Sequence, residues 1–212
     1  FVTNVFIPNP DLDPEKAQSF EGGVGLSFDD VMQKGDGLRA KMTGFRTYYE
    51  DFIEQTVSGT TTTRANVPDA HISGFEMEAE YATRMPFIAV GYHQYRGKDD
   101  TDGTSLNDIP ADTLTLDVGS RFPGMDLKLG TRFEFAQAQD RFGTESASAG
   151  YTVVDLYGSW TPGDDFWDGR LQGFRLDAGV DNLLDKNYQR HLSSLPEEGV
   201  NYKLSAAYQM NF

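Results

Sequence analysis

Cysteine is absent from the 212 residues of this chain. Disulfides, zinc–thiolate centres and thiol nucleophiles are therefore excluded. Long apolar runs are missing too, and no stretch approaches the roughly 18 residues that a transmembrane helix needs. Positive charge is scarce: 18 Lys and Arg stand against 33 Asp and Glu, a formal net charge of −15. Nothing basic is available to neutralise a phosphate backbone, which argues against nucleic acid as a partner. No Gly-x-Ser-x-Gly elbow and no phosphate-binding loop occurs, so an enzyme is not expected. Histidine appears only at His71, His93 and His191. The start, Phe1-Val-Thr-Asn, has no initiator Met, basic n-region or apolar h-region. The chain accordingly reads as mature, trimmed or partial.

What is plentiful is alternation. In 202–212, Tyr202, Leu204, Ala206, Tyr208, Met210 and Phe212 fall on one face of an extended strand. Lys203, Ser205, Gln209 and Asn211 fall on the other. A strand of about ten residues with aromatics at both ends of its apolar face fits a bilayer-spanning β-strand. The same period recurs upstream. Phe20, Val24, Leu26 and Phe28 share a face, and Leu38, Ala40 and Met42 open a segment running to about residue 56. Phe75, Met77, Ala79 and Tyr81 alternate with Glu76, Glu78 and Glu80. Three carboxylates on one strand face cannot point into lipid or a dry core at tolerable cost, whereas a wet lumen accepts them. Further segments place Ile88, Val90 and Tyr92, then Leu114, Leu116 and Val118, then Met125, Leu127, Leu129, Phe133 and Phe135 on one face. The last two before the terminal strand do so with Val154, Leu156 and Trp160 over 151–160, and with Phe174, Leu176, Ala178 and Val180 over 170–182.

About nine strands follow from this pattern. Short turns, as at Thr83-Arg-Met-Pro86 and Pro123-Gly124, alternate with longer stretches near 97–110, 137–150 and 183–199, while 60–63 reads as a short loop. Outer-membrane barrels have this asymmetry, with the long loops outside. A soluble β-sandwich also alternates, but its strands commonly hold about five or six residues, and several here are longer. Bacterial single-chain barrels use even strand numbers, and an open sheet in lipid leaves backbone groups unpaired. The expectation is an all-β fold, an antiparallel transmembrane β-barrel of which this chain is one part. A small closed barrel acting as an outer-membrane enzyme or porin is the alternative.

Several motifs, in order along nearly the whole chain, carry a resemblance. The stretch FIPNPDLDPEK, 6–16, resembles the NPDL-x-PE box of TonB-dependent outer-membrane receptors, and SFEGGV, 19–24, resembles the strand after it. ISGFEME, 72–78, resembles that family's xxGxE strand. YTVVDLYGSW, 151–160, and GVDNLLDKNY, 179–188, resemble its late barrel strands, and the terminal aromatic resembles its C-terminal strand. GDGLRAKMTGF, 35–45, with YEDFI, 49–53, is most similar to the haem and haemoglobin receptor branch. The resemblance implies the last nine strands or so of a barrel of roughly 22 strands, without its plug domain. It implies a bacterial outer-membrane receptor that captures haem or a haem protein for import energised by the TonB complex. A receptor for a siderophore or another nutrient is the sister reading. Haem would be transported cargo, with no cofactor built in, and lipid and lipopolysaccharide would contact the outside.

Haem iron takes His or Tyr as an axial ligand. His191, in a stretch expected outside, is the first candidate ligand, and Tyr188 is the second. The ordinary reading of each histidine is a polar lumen or loop residue, and that of Tyr188 is an interface-girdle aromatic. Haem receptors are expected to carry an external His near the NPDL box. None stands there, so that ligand transfers to no residue of this chain. Asp99-Asp100-Thr-Asp102-Gly103 looks like the start of a calcium loop but lacks the downstream bidentate Glu, so it reads as a solvated loop.

Overall fold

The computed structural model describes residues 5–143, 146–163 and 166–209. The opening 1–4 and the terminal Met210, Asn211 and Phe212 lie outside the described residues. The described strands are β1 (Val5–Phe6), β2 (Lys16–Asp29), β3 (Gly37–Ser58), β4 (Thr61–Ala82), β5 (Pro86–Asp99), β6 (Thr113–Phe122), β7 (Leu127–Ala136), β8 (Tyr151–Trp160), β9 (Phe174–Asp181) and β10 (Asn201–Tyr208). No described helix is long and apolar enough to cross a membrane, which says nothing of strands.

All ten strands join one sheet, and β2 to β10 lie side by side in sequence order, each antiparallel to the next. A sandwich needs two packed sheets, so the single sheet removes that reading. The nine expected strands correspond to β2–β10. The extra one, β1, is two residues long and pairs in parallel with the start of β4 through Val5↔Thr61 and Phe6↔Thr62. So short a pairing has no period to read. Three boundaries also differ from expectation. Residues 61–63 belong to β4, because the β3–β4 turn is closed by Gly59 and Thr60 alone. Met125 sits in the β6–β7 turn, where its N–H bonds the Phe122 carbonyl. β9 begins at Phe174, after Gly173 at φ 82°, and not near 170.

Cross-strand register makes the alternation into two continuous surfaces. Leu26, Ala40, Ala79, Val90, Leu116, Phe133 and Val154 occupy successive opposed positions from β2 to β8. Leu156, Val180 and Tyr202 continue the face to β10. This face covers no core: Val24 is 63% exposed, Leu129 46% and Leu204 76%. Such a broad exposed apolar band fits lipid. The opposite face carries Arg39–Glu80, Lys41–Glu78 and Asp117–Arg132 as cross-strand neighbours, so the three glutamates of β4 do face the polar side.

The only described core cluster lies beyond the bilayer. Ala70, Leu106 and Ile109 are buried there with Tyr49, Phe52, Val67, Ile72 and Tyr95. β3 and β4 hold 22 residues each, against the 9–11 that span a membrane, so their hairpin projects well past it. The outer edges of β2 and β10 have no partner among the described residues, and β2 is exposed throughout. In lipid those edges need further strands. Leu116→Arg, at mid-strand on the apolar face, is expected to destabilise the full-length protein by about 2–4 kcal/mol, and Thr115→Arg on the polar face by little. Denaturant titration in lipid vesicles checks this; equal effects would reverse the face assignment.

Candidate functional site

The long connections gather at one end of the sheet, and the polar face rises to meet them. Thr43, Glu76, His93, Thr113, Ala136 and Tyr151 form one row across six strands. On the outer side of His93, Gly74 sits between the Phe45 and Tyr95 rings, and a Cβ there would lie 2.3 Å from Phe45 and 2.6 Å from Tyr95. Tyr95 then donates its hydroxyl to Glu76 at 2.5 Å. The Gly-Phe-Glu of the 72–78 motif therefore has a physical meaning: the glycine admits two rings and the glutamate anchors one.

The β9–β10 loop, 182–200, folds back over this row. Asn182, 2% exposed at φ 49°, ties both ends of the loop together. Its side-chain NH2 donates to the Lys186 and Glu198 carbonyls at 2.9 and 3.0 Å, and its Oδ1 accepts the Lys186 N–H at 2.8 Å. That closure delivers Tyr188, Arg190 and His191 to the mouth. Arg190 grips Glu134 of β7 through two N–H···O bonds of 2.5 and 3.1 Å. Tyr151 donates to the same carboxylate at 2.7 Å. Tyr188 packs on Tyr151 with ring centroids 4.5 Å apart. Tyr188 thus lies over the polar face and is not an interface-girdle aromatic. Burial pushes its phenol above the ordinary value, which opposes the phenolate that an iron ligand requires.

His191 Nδ1 lies 3.0 Å from Ser148 Oγ of the β7–β8 connection. His191 and His93 line one cavity of about 250 Å³ with Thr113, Glu134, Tyr151 and Arg190. Sequence reasoning singled out His191 and Tyr188 but left His93 as an ordinary lumen residue, with no signal to join positions 98 residues apart. His71 is elsewhere: it shares the outward face with Tyr48 and bonds Asp100 at 2.8 Å. No group of three or more His, Cys, Asp or Glu suited to a metal occurs among the described residues. The calcium-like loop is internally satisfied, since Asp102 accepts the Thr104 N–H and hydroxyl at 2.8 and 2.7 Å.

Two further arrangements stiffen this end. Asp112, with its side chain 3% exposed, takes both Arg96 nitrogens at 2.6 and 2.7 Å, with Arg141 at 3.5 Å. The Arg96 hydrogen bonds hold the Asp112 carboxyl below the ordinary carboxylate range. The NPDL stretch straps the β3–β4 hairpin. Asn9 donates to the Arg64 carbonyl, while Asn66 bridges Asp13 and the Asp51 carbonyl where Asp51 turns to φ 55°.

A one-sheet, two-faced ladder with an ordered polar mouth defines a section of a transmembrane β-barrel. The chain belongs to the TonB dependent receptor-like β-barrel family, whose description matches residues 1–183; it is an outer-membrane protein section. It is 30% identical over 210 residues to a hemin receptor of Yersinia pestis, covering 98% of this chain and 30% of that protein. It is 28% identical over 219 residues to heme/hemopexin utilization protein C of Haemophilus influenzae (strain 86-028NP), covering 98% and 30%. Among solved structures, the copper transporter OprC superposes with a TM-score of 0.78 at 25% identity, over 93% of this chain and 32% of that one. The Serratia marcescens hemophore receptor HasR shares the fold with a TM-score of 0.69 at 20% identity, over 96% and 32%. The chain spans about a third of the length of these relatives.

Asp112→Asn removes the carboxylate charge beside Arg96 and is expected to cost roughly 1–3 kcal/mol of local stability. Because its folded pKa is lowered, the Asp112 contribution is complete above the unfolded value near pH 4 and fades as pH falls through the folded one. Amide exchange across 104–112 in the full-length protein reads both effects. Protection unchanged by the substitution, or lost on raising pH, would contradict the assignment.

Proposed function

We propose that this chain is the barrel section of a TonB-dependent outer-membrane receptor that captures haem, free or drawn from a haem protein, at its outer mouth. Import would be energised by the TonB complex acting on the remainder of the protein. The observation that carries this reading is the similarity of nearly the whole chain to hemin and heme/hemopexin receptors. Two histidines on one cavity at the outer end, with Tyr151 beside them, supply fitting chemistry. Haem is cargo here and no resident cofactor is invoked. The apolar face contacts outer-membrane lipid and lipopolysaccharide, nucleic acid is no partner of so acidic a chain, and no bond is made or broken. His191 offers the iron-binding nitrogen, with Ser148 fixing its ring. Tyr188, the second candidate ligand, serves better as a wall than as a phenolate.

A siderophore or another metal cargo is the second reading, favoured by the likeness to the copper transporter OprC. Haem titration of the full-length receptor, followed by its Soret band, separates the two. Wild type is expected to give a shifted Soret band, and His191→Ala to lose about tenfold or more in affinity with an altered band. Absence of any Soret shift, with tight binding of a ferric siderophore or copper, would overturn the haem reading.

A further inference from the structure

The Arg190–Glu134 pair is a bidentate link between the middle of the β9–β10 loop and the barrel wall. Glu134 stands on a central strand, hydrogen-bonded on both sides through its partners Thr115 and Val153. Its backbone is therefore held from both sides, and its side chain starts from a fixed point on the wall. Its side chain is 17% exposed, so water screens the pair only in part. Both carboxylate oxygens engage the guanidinium, Tyr151 adds a third bond, and Arg190 Nη1 also reaches the Tyr151 hydroxyl at 3.3 Å. The guanidinium carbon lies 5.9 Å from the centroids of both Tyr151 and Tyr188. Glu197 approaches Arg190 Nε at 3.7 Å from the returning arm of the loop. One guanidinium therefore joins a transmembrane strand, two aromatic walls and both arms of the loop.

The neighbouring residue is His191, whose Cα is fixed within about 3.8 Å of that of Arg190 by the peptide bond. Beyond it the loop turns outward: Leu192 is 48% exposed, at φ 72°, and Leu195 is 70% exposed. The imidazole also meets Ser148 at 3.0 Å, so the Arg190 fork places the backbone and Ser148 orients the ring. A planar fork on a carboxylate defines direction as well as distance, which a lysine ammonium does not.

We infer that Glu134 and Arg190 are positioning residues for the cargo site, the bidentate pair pinning the β9–β10 loop to the wall and so presenting His191 to the lumen. The inference rests on the haem reading above. Its energetic content is preorganisation: a loop already ordered pays less on binding.

The test uses the full-length receptor in detergent, with haem titrated by Soret absorbance and the iron environment read by electron paramagnetic resonance. Glu134→Gln and Arg190→Lys are each expected to weaken haem binding about tenfold, the loss of a charge-assisted hydrogen bond. Both should move the iron signal part of the way towards that of His191→Ala. Glu134→Gln combined with Arg190→Gln should be no worse than the stronger single variant, because both act through one link. Arg190→Lys changes only a loop side chain and keeps the test valid if Glu134→Gln fails to assemble. Wild-type affinity and spectrum in Arg190→Lys, with His191→Ala impaired, would overturn the positioning role and leave the haem site standing. Additive losses, with Arg190→Gln far the larger, would mean that Arg190 touches the cargo itself and would also overturn it. An unimpaired His191→Ala would remove the underlying site and the inference together.

Discussion

Backbone hydrogen bonding in a solvent that offers none is the constraint from which the rest of this structure follows. In hydrocarbon an unpaired N–H or C=O has no water to turn to, so each strand must be paired along its membrane length. β3 to β9 meet that demand on both sides, and β2 and β10 meet it on one side each. The polar connections collect at the ends, where water can serve them. β8 to β9 departs from the short-turn pattern of that end, running through 161–173 with Trp160, Phe166 and Phe174 packed edge to face. Aromatics of that kind suit the membrane interface.

Once pairing is satisfied, period two divides the chemistry. One face gives lipid a largely apolar surface. The other can hold charge cheaply because water reaches it, and it does so in opposed pairs such as Arg132–Asp117 at 3.1 Å. The acidity of the chain therefore says little about the wall itself. In β10, Lys203 pairs with Asp181 of its neighbour. Exposed pairs of this sort contribute little stability, and their value is to keep the wall polar without leaving charge unpartnered.

The outer mouth is the part that behaves like a folded domain. Its small core of Ala70, Leu106 and Ile109 is roofed by the Asp112 network and braced by the NPDL strap. A receptor loop that was merely long would pay its ordering entropy on every capture. Here that entropy is met during folding, by Asn182 closing the β9–β10 loop and Arg190 anchoring it. The cavity beneath is shaped by the chain's own contacts.

Much of the fold was legible in the residues, because a two-faced strand in lipid has to be written as alternation. Leu114, Leu116 and Val118 name their face without reference to any neighbour, and Glu76, Glu78 and Glu80 name the other. Strand ends were less legible, since Met125 keeps the period although its N–H has already turned back to Phe122. The β1 pairing was invisible, because two residues carry no period. The site divides in the same way. His191 could be proposed from its place in a long outer loop, but its meeting with His93, Ser148 and the Glu134–Arg190 pair could not. Those contacts join β5, β7, the β7–β8 connection and the β9–β10 loop. Local alternation thus determined which faces and which class of protein this chain forms. Only register and loop closure, which are long-range and set by packing and backbone pairing together, decided which side chains share the mouth.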